Sequence, residues 1–568
     1  MEQERRSCPN IRGKLAMFAN ANLLLPRRRC QCPKKTRGKC LSDAFYFSDR
    51  RSTWAFAVGW VLVTIGVILH VPMYWMGRFN HFILVGMPME WPMYLGMLGI
   101  VAGIGVAGYG LLPKREALSH IHEPIETLTP PEDAPLTREH WVVMGVLAVA
   151  LVIDIMKPAS LGFVTPGMRT EYGVSGATVS LLPFFALAGT VTGSFVWGAL
   201  ADVYGRRAAI LLSAVMFVGT SICGAMPSFW WNVGMCYLMG CSAGGMLPVA
   251  YALLAEIMPT KHRGWALVLI GGVGAVGGYF AASGLSQLLQ PYWSWRIMWF
   301  LNLPTGLIII LLANLLPESA RFLQHMGRAA EARAVLARFG AVVSSGVPKV
   351  ENIDHSHLPP VDRNYLGRTI ALTLAALSWG LVNFGLMLWL PSALTAEGLS
   401  IAAASHLIAQ SSLIAAPVVL ICTFMYSRWS TRGALIVMIA IMGLGLLAVL
   451  ARSTGLPAFQ SPLLPIALLI LGSTGAISIM LPYTAECYPL RIRGRASGWV
   501  AGCSKGGGLI AQGVSLFVGV PPLGAAAIVI GIATATAAGL IARFGPETRG
   551  RDLRELDNLD AEHVRANA

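Results

Sequence analysis

Residues 255–264 read Ala-Glu-Ile-Met-Pro-Thr-Lys-His-Arg-Gly, and 230 positions later residues 485–494 read Ala-Glu-Cys-Tyr-Pro-Leu-Arg-Ile-Arg-Gly. The shared frame is Ala-Glu-x-x-Pro-x-x-x-Arg-Gly. Pro317-Glu318-Ser319 returns as Pro546-Glu547-Thr548 at a shift of 229, and the same shift carries Asp154 onto Asn383. Three features agreeing within one position imply an internal duplication.

The surroundings of these motifs say what was duplicated. Apolar runs of about 20 residues, enough to cross a bilayer's hydrocarbon, recur along the chain. Fourteen are counted. Two come early, near 54–74 and 92–112. Twelve follow, near 141–163, 178–199, 207–225, 231–255, 265–288, 297–316, 369–390, 405–426, 433–451, 462–483, 496–519 and 524–544. Composition agrees: of 568 residues 55% are hydrophobic and 12% charged, where a soluble domain carries about 25% charge. That excludes a soluble enzyme, a disordered chain and an ordinary nucleic-acid binder. The net charge of +15 does not reverse this, because residues 1–53 hold thirteen Lys/Arg against four Asp/Glu.

The expected fold is an all-α polytopic membrane protein of two six-helix bundles plus an N-terminal two-helix hairpin. The expected segments are a basic tail (1–53), the hairpin (54–112), a linker (113–137), a first bundle (138–316), an inter-bundle loop (317–368), a second bundle (369–545) and a tail (546–568). Lys and Arg concentrate in alternate loops: Arg206 and Arg207; Lys261 and Arg263; Arg321 to Arg338; Arg428 and Arg432; Arg491 to Arg495; Arg549 to Arg554. The opposite loops hold little beyond Arg169, Arg296 and Arg452. By the positive-inside rule, both termini and the 317–368 loop are cytoplasmic, in an inner or plasma membrane. The tail has no signal-peptide pattern. Its Cys8, Cys30, Cys32 and Cys40 match no zinc spacing, so no metal or other cofactor is expected.

Paired bundles of this kind rock around a site near the bilayer midplane. Glu256 with Arg263, and Glu486 with Arg493, lie at helix ends beside a proline turn, where charge-assisted bonds can make and break as bundles rotate. Asp202 is expected to face a helix N-terminus.

The stretch Gly198-Ala-Leu-Ala-Asp202-Val-Tyr-Gly205-Arg206-Arg207, with the two Glu-x6-Arg elements and the Pro-Glu-Ser/Thr repeats, resembles the major facilitator superfamily over about residues 138–556. That resemblance implies a cytoplasmic gate of Asp202, Arg206, Arg207, Glu256, Arg263, Glu318, Arg321, Glu486, Arg493, Glu547 and Arg549. The second-half counterpart, Tyr426-Ser-Arg-Trp-Ser-Thr-Arg432-Gly433, has lost the Asp, so latching is expected to be asymmetric. A hexose carrier is disfavoured: the seventh of the twelve spans lacks the sugar porters' Gln-Gln, and Pro482 stands where they carry Trp. The proline of the drug antiporters' fifth-span motif is missing too. The Ala-Glu-x-x-Pro turns are similar to those of metabolite:proton symporters such as aromatic-acid, nicotinate and synaptic-vesicle-type carriers. Where those often carry a fourth-span Arg, this chain has Cys236.

Ionisable residues deep in a span cost about 2.5–3.5 kcal/mol even on lenient scales, so each is a functional candidate. Asp154 lies mid-span, with Lys157 one turn on. Lys505 sits in the glycine-rich run Gly502-Cys-Ser-Lys-Gly-Gly-Gly508. Asp154 is expected to bind the coupled proton, and Lys505 or Lys157 the cargo's carboxylate. Tyr251, Trp379, Asn383, Gln410 and Tyr483 are expected to line the cavity, while Trp293, Trp295 and Trp299 read as an interfacial belt. The hairpin reads as an accessory anchor. The expected function is proton-coupled symport of a small organic acid by a monomer whose partners are cargo, protons and lipid. An exporter using the same proton site, or a non-transporting sensor that kept the fold, are the alternatives. No enzyme constellation and no phosphate-binding loop is found.

Overall fold

A computed structural model describes residues 50–112, 135–326, 328–340, 365–457, 460–488 and 490–549. The N-terminal cysteines and most of both tails fall outside these residues. The described residues are helical, without a strand. This is what lipid demands, because a helix satisfies its own backbone. Thirteen helical stretches are long and apolar enough to cross a membrane. They are α1 (Arg51–Asn80), α2 (Trp91–Leu111), α3 (Arg138–Tyr172), α4 (Gly176–Tyr204), α5 (Arg206–Ala225), α6 (Phe229–Ile257), α7 (Lys261–Trp293) and α8 (Ile297–Leu315), then α9 (Leu366–Ala396), α10 (Ile401–Trp429), α11 (Thr431–Ser453), α12 (Leu463–Cys487) and α14 (Leu523–Phe544). Between the last two lies α13 (Leu490–Val518), long enough to span but diluted by Lys505, Gln512 and its glycines.

Helix ends follow local chemistry. Thr137 and His140 form a reciprocal capping box at the start of α3, and Gly173 ends that helix at φ +62°. Ser400 caps α10 and Ser430 caps α11 through side-chain oxygens. Contacts between ends define two faces. On the tail face, Arg338 pairs with Glu139 at 2.6 Å and Arg368 donates to the Cys487 carbonyl. On the far face, Arg296 pairs with Glu171 and Arg452 with Glu397.

Two buried apolar clusters fill the molecule. One draws on α1 to α8, the other on α9 to α14 together with faces of α3 and α7. The bundles therefore meet along those two helices, with α3 on α9 and α7 on α10 and α12, and α4 meets α13 beside them.

The hairpin α1–α2 docks on α5, where Ile100 and Val63 close over Gly219. Its far-face turn is stitched to the first bundle. Arg296, 0% exposed, donates Nε to the Phe82 carbonyl at 3.1 Å, Nη1 to the Gly224 and Met226 carbonyls, and Nη2 to Glu171 at 2.6 Å and the Tyr172 hydroxyl. Glu171 also accepts from the Leu84 backbone and from Trp295 Nε1, and Tyr74 donates to the Trp293 carbonyl. The interfacial belt is thus corrected. Trp295 and Trp299 are buried, and Trp295 serves a buried carboxylate rather than a lipid headgroup.

Candidate functional site

Asp154 and Lys157 project from successive turns of α3, and Lys505 from α13 in the other bundle. They are 7%, 2% and 9% exposed. Asp154 lies within Coulombic reach of both lysines. Lys157 Nζ stands 3.0 Å from the centre of the Phe217 ring on α5, a cation–π contact inside the first bundle. Neither Asp154 Oδ1 nor Lys157 Nζ has a hydrogen-bond partner among the described residues.

The glycines around Lys505 do what their run suggests. A Cβ on Gly380 of α9 would stand 2.0 Å from the Ser504 carbonyl, and one on Gly507 2.2 Å from the Leu377 carbonyl. No other residue type lets α9 and α13 touch backbone to backbone there. Immediately beyond, Leu381–Leu386 winds as a π-helical turn containing Asn383. Such turns loosen the helical ladder and recur at functional sites. Two carbonyls of this turn are caught from opposite bundles: Tyr279 of α7 donates to Asn383 O at 3.0 Å, and Gln512 of α13 donates to Phe384 O at 2.6 Å. Nearer the far face, Ser286 of α7 meets Ser405 of α10 at 2.8 Å.

The structure thus brings Asp154, Lys157, Lys505, Asn383 and Trp379 to the middle of the molecule. Trp379 donates to the Ser473 carbonyl and lies edge-on to Phe384. Tyr251 packs its hydroxyl against Gly271 of α7. Tyr483 is displaced to the tail face, where it donates to the Pro546 carbonyl at 2.7 Å. Gln410 is not brought in. It lies on the outward stripe of α10 with Leu413, Ile414 and Leu420. Tyr279 and Gln512 escaped sequence reading; their signal was a hydrogen-bonding side chain among glycines in mid-span, weak until the π-turn is seen.

On the tail face each bundle carries its own polar network. In the first, Arg206 bonds Asp202 at 2.5 Å and Glu256 at 3.4 Å, and Ser319 donates to Glu256 at 2.5 Å. Glu318 accepts from the backbone of Arg207 and Ser319, and Arg207 donates to Asn314. The carboxylate at the N-terminus of α5 is therefore Glu318, and Asp202 sits outside it, largely exposed, as the partner of Arg206. Gly205 makes room, with φ at +103° and Glu318 within 2.8 Å of where its Cβ would be. In the second network, Thr548 donates to Glu486 at 2.7 Å. Glu547 accepts from the Ser430 hydroxyl, from both the hydroxyl and the N–H of Thr431, and from the Arg549 N–H. Arg549 donates to the Trp429 carbonyl, Arg263 to Met258 O and Arg493 to Tyr488 O. Arg321 lies in the helix Ala320–His325, but its side chain is outside the described residues.

The two loop glutamates differ electrically. Burial pushes the Glu318 carboxyl above its ordinary value, against the pull of the Ser319 and Arg207 N–H groups. Burial also works upward on Glu547, but the Ser430 and Thr431 hydroxyls and the Thr431 and Arg549 N–H groups outweigh it and hold it at about 2.

Twin bundles of this kind find their match in known proteins. The profile of the Major Facilitator Superfamily matches residues 145–512. The chain belongs to that superfamily. It is a multi-pass membrane transporter and not an enzyme. It is similar to the niacin transporter NiaP of Acinetobacter baylyi, at 22% identity over 75% of this chain and 98% of that protein. It is also similar to a gallate transporter of Pseudomonas putida, at 25% identity over 71% of this chain and 92% of that protein. Among solved structures, the proton:xylose symporter XylE from E. coli superposes with a TM-score of 0.59 at 17% identity, covering 74% of this chain and 98% of that one. That last likeness speaks to the fold.

Proposed function

We propose that this transporter carries small organic acids, aromatic monocarboxylates foremost, across the cell membrane by alternating access of its two bundles, in symport with protons. The observation that carries this reading is the charge count of the central cluster. One carboxylate and two ammonium groups, all buried, leave an excess of one positive charge where isolated charge is expensive. A carboxylate on the cargo balances it. The names of the relatives, niacin and gallate transporters, fit the same class of cargo.

Roles follow from position. Lys157 is engaged by Phe217 and Asp154 within one bundle, so Lys505 is the cation that meets the cargo, with Asn383 and Trp379 beside it. Asp154 is the proton site. When it takes a proton the cluster gains positive charge and holds an anion harder; when it loses the proton the anion is released. Binding and protonation are thereby linked in the sense symport requires. Both termini and the latches built on Glu256 and Glu486 lie on the cytoplasmic side, following the Lys/Arg bias of their loops.

The test uses purified full-length protein with a panel of benzoate, nicotinate, hydroxybenzoates and matched amines. Carboxylates are expected to raise the melting temperature and amines are not. Lys505→Ala should weaken carboxylate binding about 100-fold, in line with about 3 kcal/mol for removing one partner of a buried pair. In proteoliposomes, Asp154→Asn should abolish uptake driven by a pH gradient while counterflow exchange survives. Carboxylate binding indifferent to Lys505, or proton-driven uptake intact in Asp154→Asn, would overturn the assignment.

A further inference from the structure

Between the central cluster and the far face lies a second polar place that the charge cluster does not explain. A narrow crevice there is lined by Gly162, Thr165 and Ser180 of the first bundle and by Trp389, Ser392 and Gln512 of the second. Gly162 is two turns beyond Asp154 along α3, and Gln512 two turns beyond Lys505 along α13. At 1.5 Å per residue the crevice therefore stands about 10–12 Å from the cluster.

Two of these side chains are buried with a hydrogen-bonding group unused. Gln512, 1% exposed, spends its amide N–H on Phe384 O, while its Oε1 has no partner among the described residues. Trp389 is buried too, and its Nε1–H likewise has none among them. A buried, unmatched amide oxygen or indole N–H costs about 1–3 kcal/mol, so two residues that line one crevice and each carry such an atom are not an arrangement that packing alone favours. Thr165 and Ser180 direct their hydroxyl protons to the Leu161 and Gly176 carbonyls, so they add acceptors and no cation. The Trp389 donor and the Gln512 acceptor, with no charged side chain among the lining residues, match a group that is itself an adjacent acceptor and donor. A neutral carboxylic acid offers that pair, and so does a carboxamide. An ionised carboxylate does not, because both its oxygens are acceptors and one would face Gln512 Oε1.

We propose that Trp389 and Gln512 form a second cargo station on the far-face side, selective for the uncharged –COOH or –CONH2 end of a small molecule. Trp389 Nε1 donates to the carbonyl oxygen, and Gln512 Oε1 accepts from the O–H or N–H. The station rests on the transport reading above and completes it: cargo is taken up here as the neutral acid, and at the cluster the proton of its carboxyl O–H passes to Asp154 as the carboxylate meets Lys505.

The experiment uses nicotinate and nicotinamide as a matched acid and amide on purified full-length protein, with binding read by thermal shift. Three variants are compared with wild type: Trp389→Phe, which keeps the ring and drops the N–H; Gln512→Leu; and Lys505→Ala. Nicotinamide is expected to bind wild type and Lys505→Ala alike, and to lose about tenfold in affinity in either of the other two, the scale of one buried hydrogen bond. Nicotinate at pH 7 should follow Lys505. If Gln512→Leu does not fold, because its clamp on Phe384 O is lost as well, Trp389→Phe decides alone. Nicotinamide failing to bind, or binding unchanged in Trp389→Phe, overturns the station and leaves the Lys505 reading in place. Nicotinate binding indifferent to Lys505 overturns that reading instead.

Discussion

Each half of this transporter ties down its far face with a glutamate at the end of its first helix and an arginine, yet the two ties are built differently. In the first half, Glu171 and Arg296 are buried, and all five guanidinium N–H groups have acceptors, one of them the Phe82 carbonyl of the hairpin. In the second half, Glu397 and Arg452 meet in a two-pronged pair at 2.6 and 2.9 Å that stays open to solvent. The tail face repeats the lesson. The Pro-Glu-Ser and Pro-Glu-Thr turns hold the same place beneath α5 and α11, but one glutamate is fed by backbone N–H groups and the other by hydroxyls as well. Duplication preserved the scaffold and left each half to solve burial separately.

The largest effect should come from breaking the buried far-face tie. Arg296→Leu strands Glu171 in a dry site, a loss of about 3–5 kcal/mol. It also releases the hairpin's turn, so protease access near residues 77–90 should rise together with the fall in melting temperature. An Arg296→Leu protein that melts like wild type would show that the hairpin is merely leaning on the first bundle.

At the centre, the halves differ by Asp154 against Asn383. Supplying the missing carboxylate with Asn383→Asp cancels the excess positive charge. Carboxylate affinity is then expected to fall at least tenfold, about 1.4 kcal/mol, with the melting temperature little changed. Affinity that rises instead would mean the cluster is not anion-selective.

The latch glutamates give a smaller, pH-dependent contrast. Glu547 has a folded value of about 2 against an ordinary 4.5, so its stabilisation is fully present above 4.5 and is lost as pH falls from there toward 2. Glu547→Gln should therefore lower the melting temperature at pH 7, with the gap closing below about pH 4.5. Glu318 has the opposite sign. Its folded value is raised, so its contribution is present below 4.5 and is lost as pH rises through the raised value. Glu318→Gln, which mimics the protonated form, should match or exceed wild type at pH 7, and its advantage should shrink toward pH 4. Melting curves of both variants from about pH 2.5 to 8, spanning the fall from 4.5 toward 2, decide it, and a common sign would erase the distinction between the halves.

Much of this was legible in the chain because membrane insertion leaves strong marks. Spans must be apolar, and ionisable residues inside them are too costly to be casual, so Asp154, Lys157 and Lys505 stood out. The glycine run around Lys505 was visible too, although only the fold shows that α9 is the helix it admits. What the sequence hid depends on where chains meet. Arg296 reads as a loop cation until the fold wraps three carbonyls around it, and Trp295 as a headgroup anchor until Glu171 takes its N–H. Gln410 looked central because span position was counted, whereas helix rotation, set by packing, turns it outward. The π-turn at 381–386 has no compositional signature, so the roles of Tyr279 and Gln512 could not be read ahead of it.

The smallest effect is expected at the exposed tie, which makes it the control for the largest. Arg452→Leu removes a guanidinium that also donates to the Gln460 carbonyl. Both charges, however, can be solvated where they stand, and such pairs contribute about 0–1 kcal/mol. The melting temperature should shift little, and raising the salt concentration should erase what difference there is, since an exposed pair is screened and a buried one is not. The salt response is the sharper measurement. Wild type and Arg452→Leu should converge at high salt, while Arg296→Leu stays low at every ionic strength. If the two variants responded to salt alike, burial would not be what separates the halves, and the hairpin's docking would need another cause.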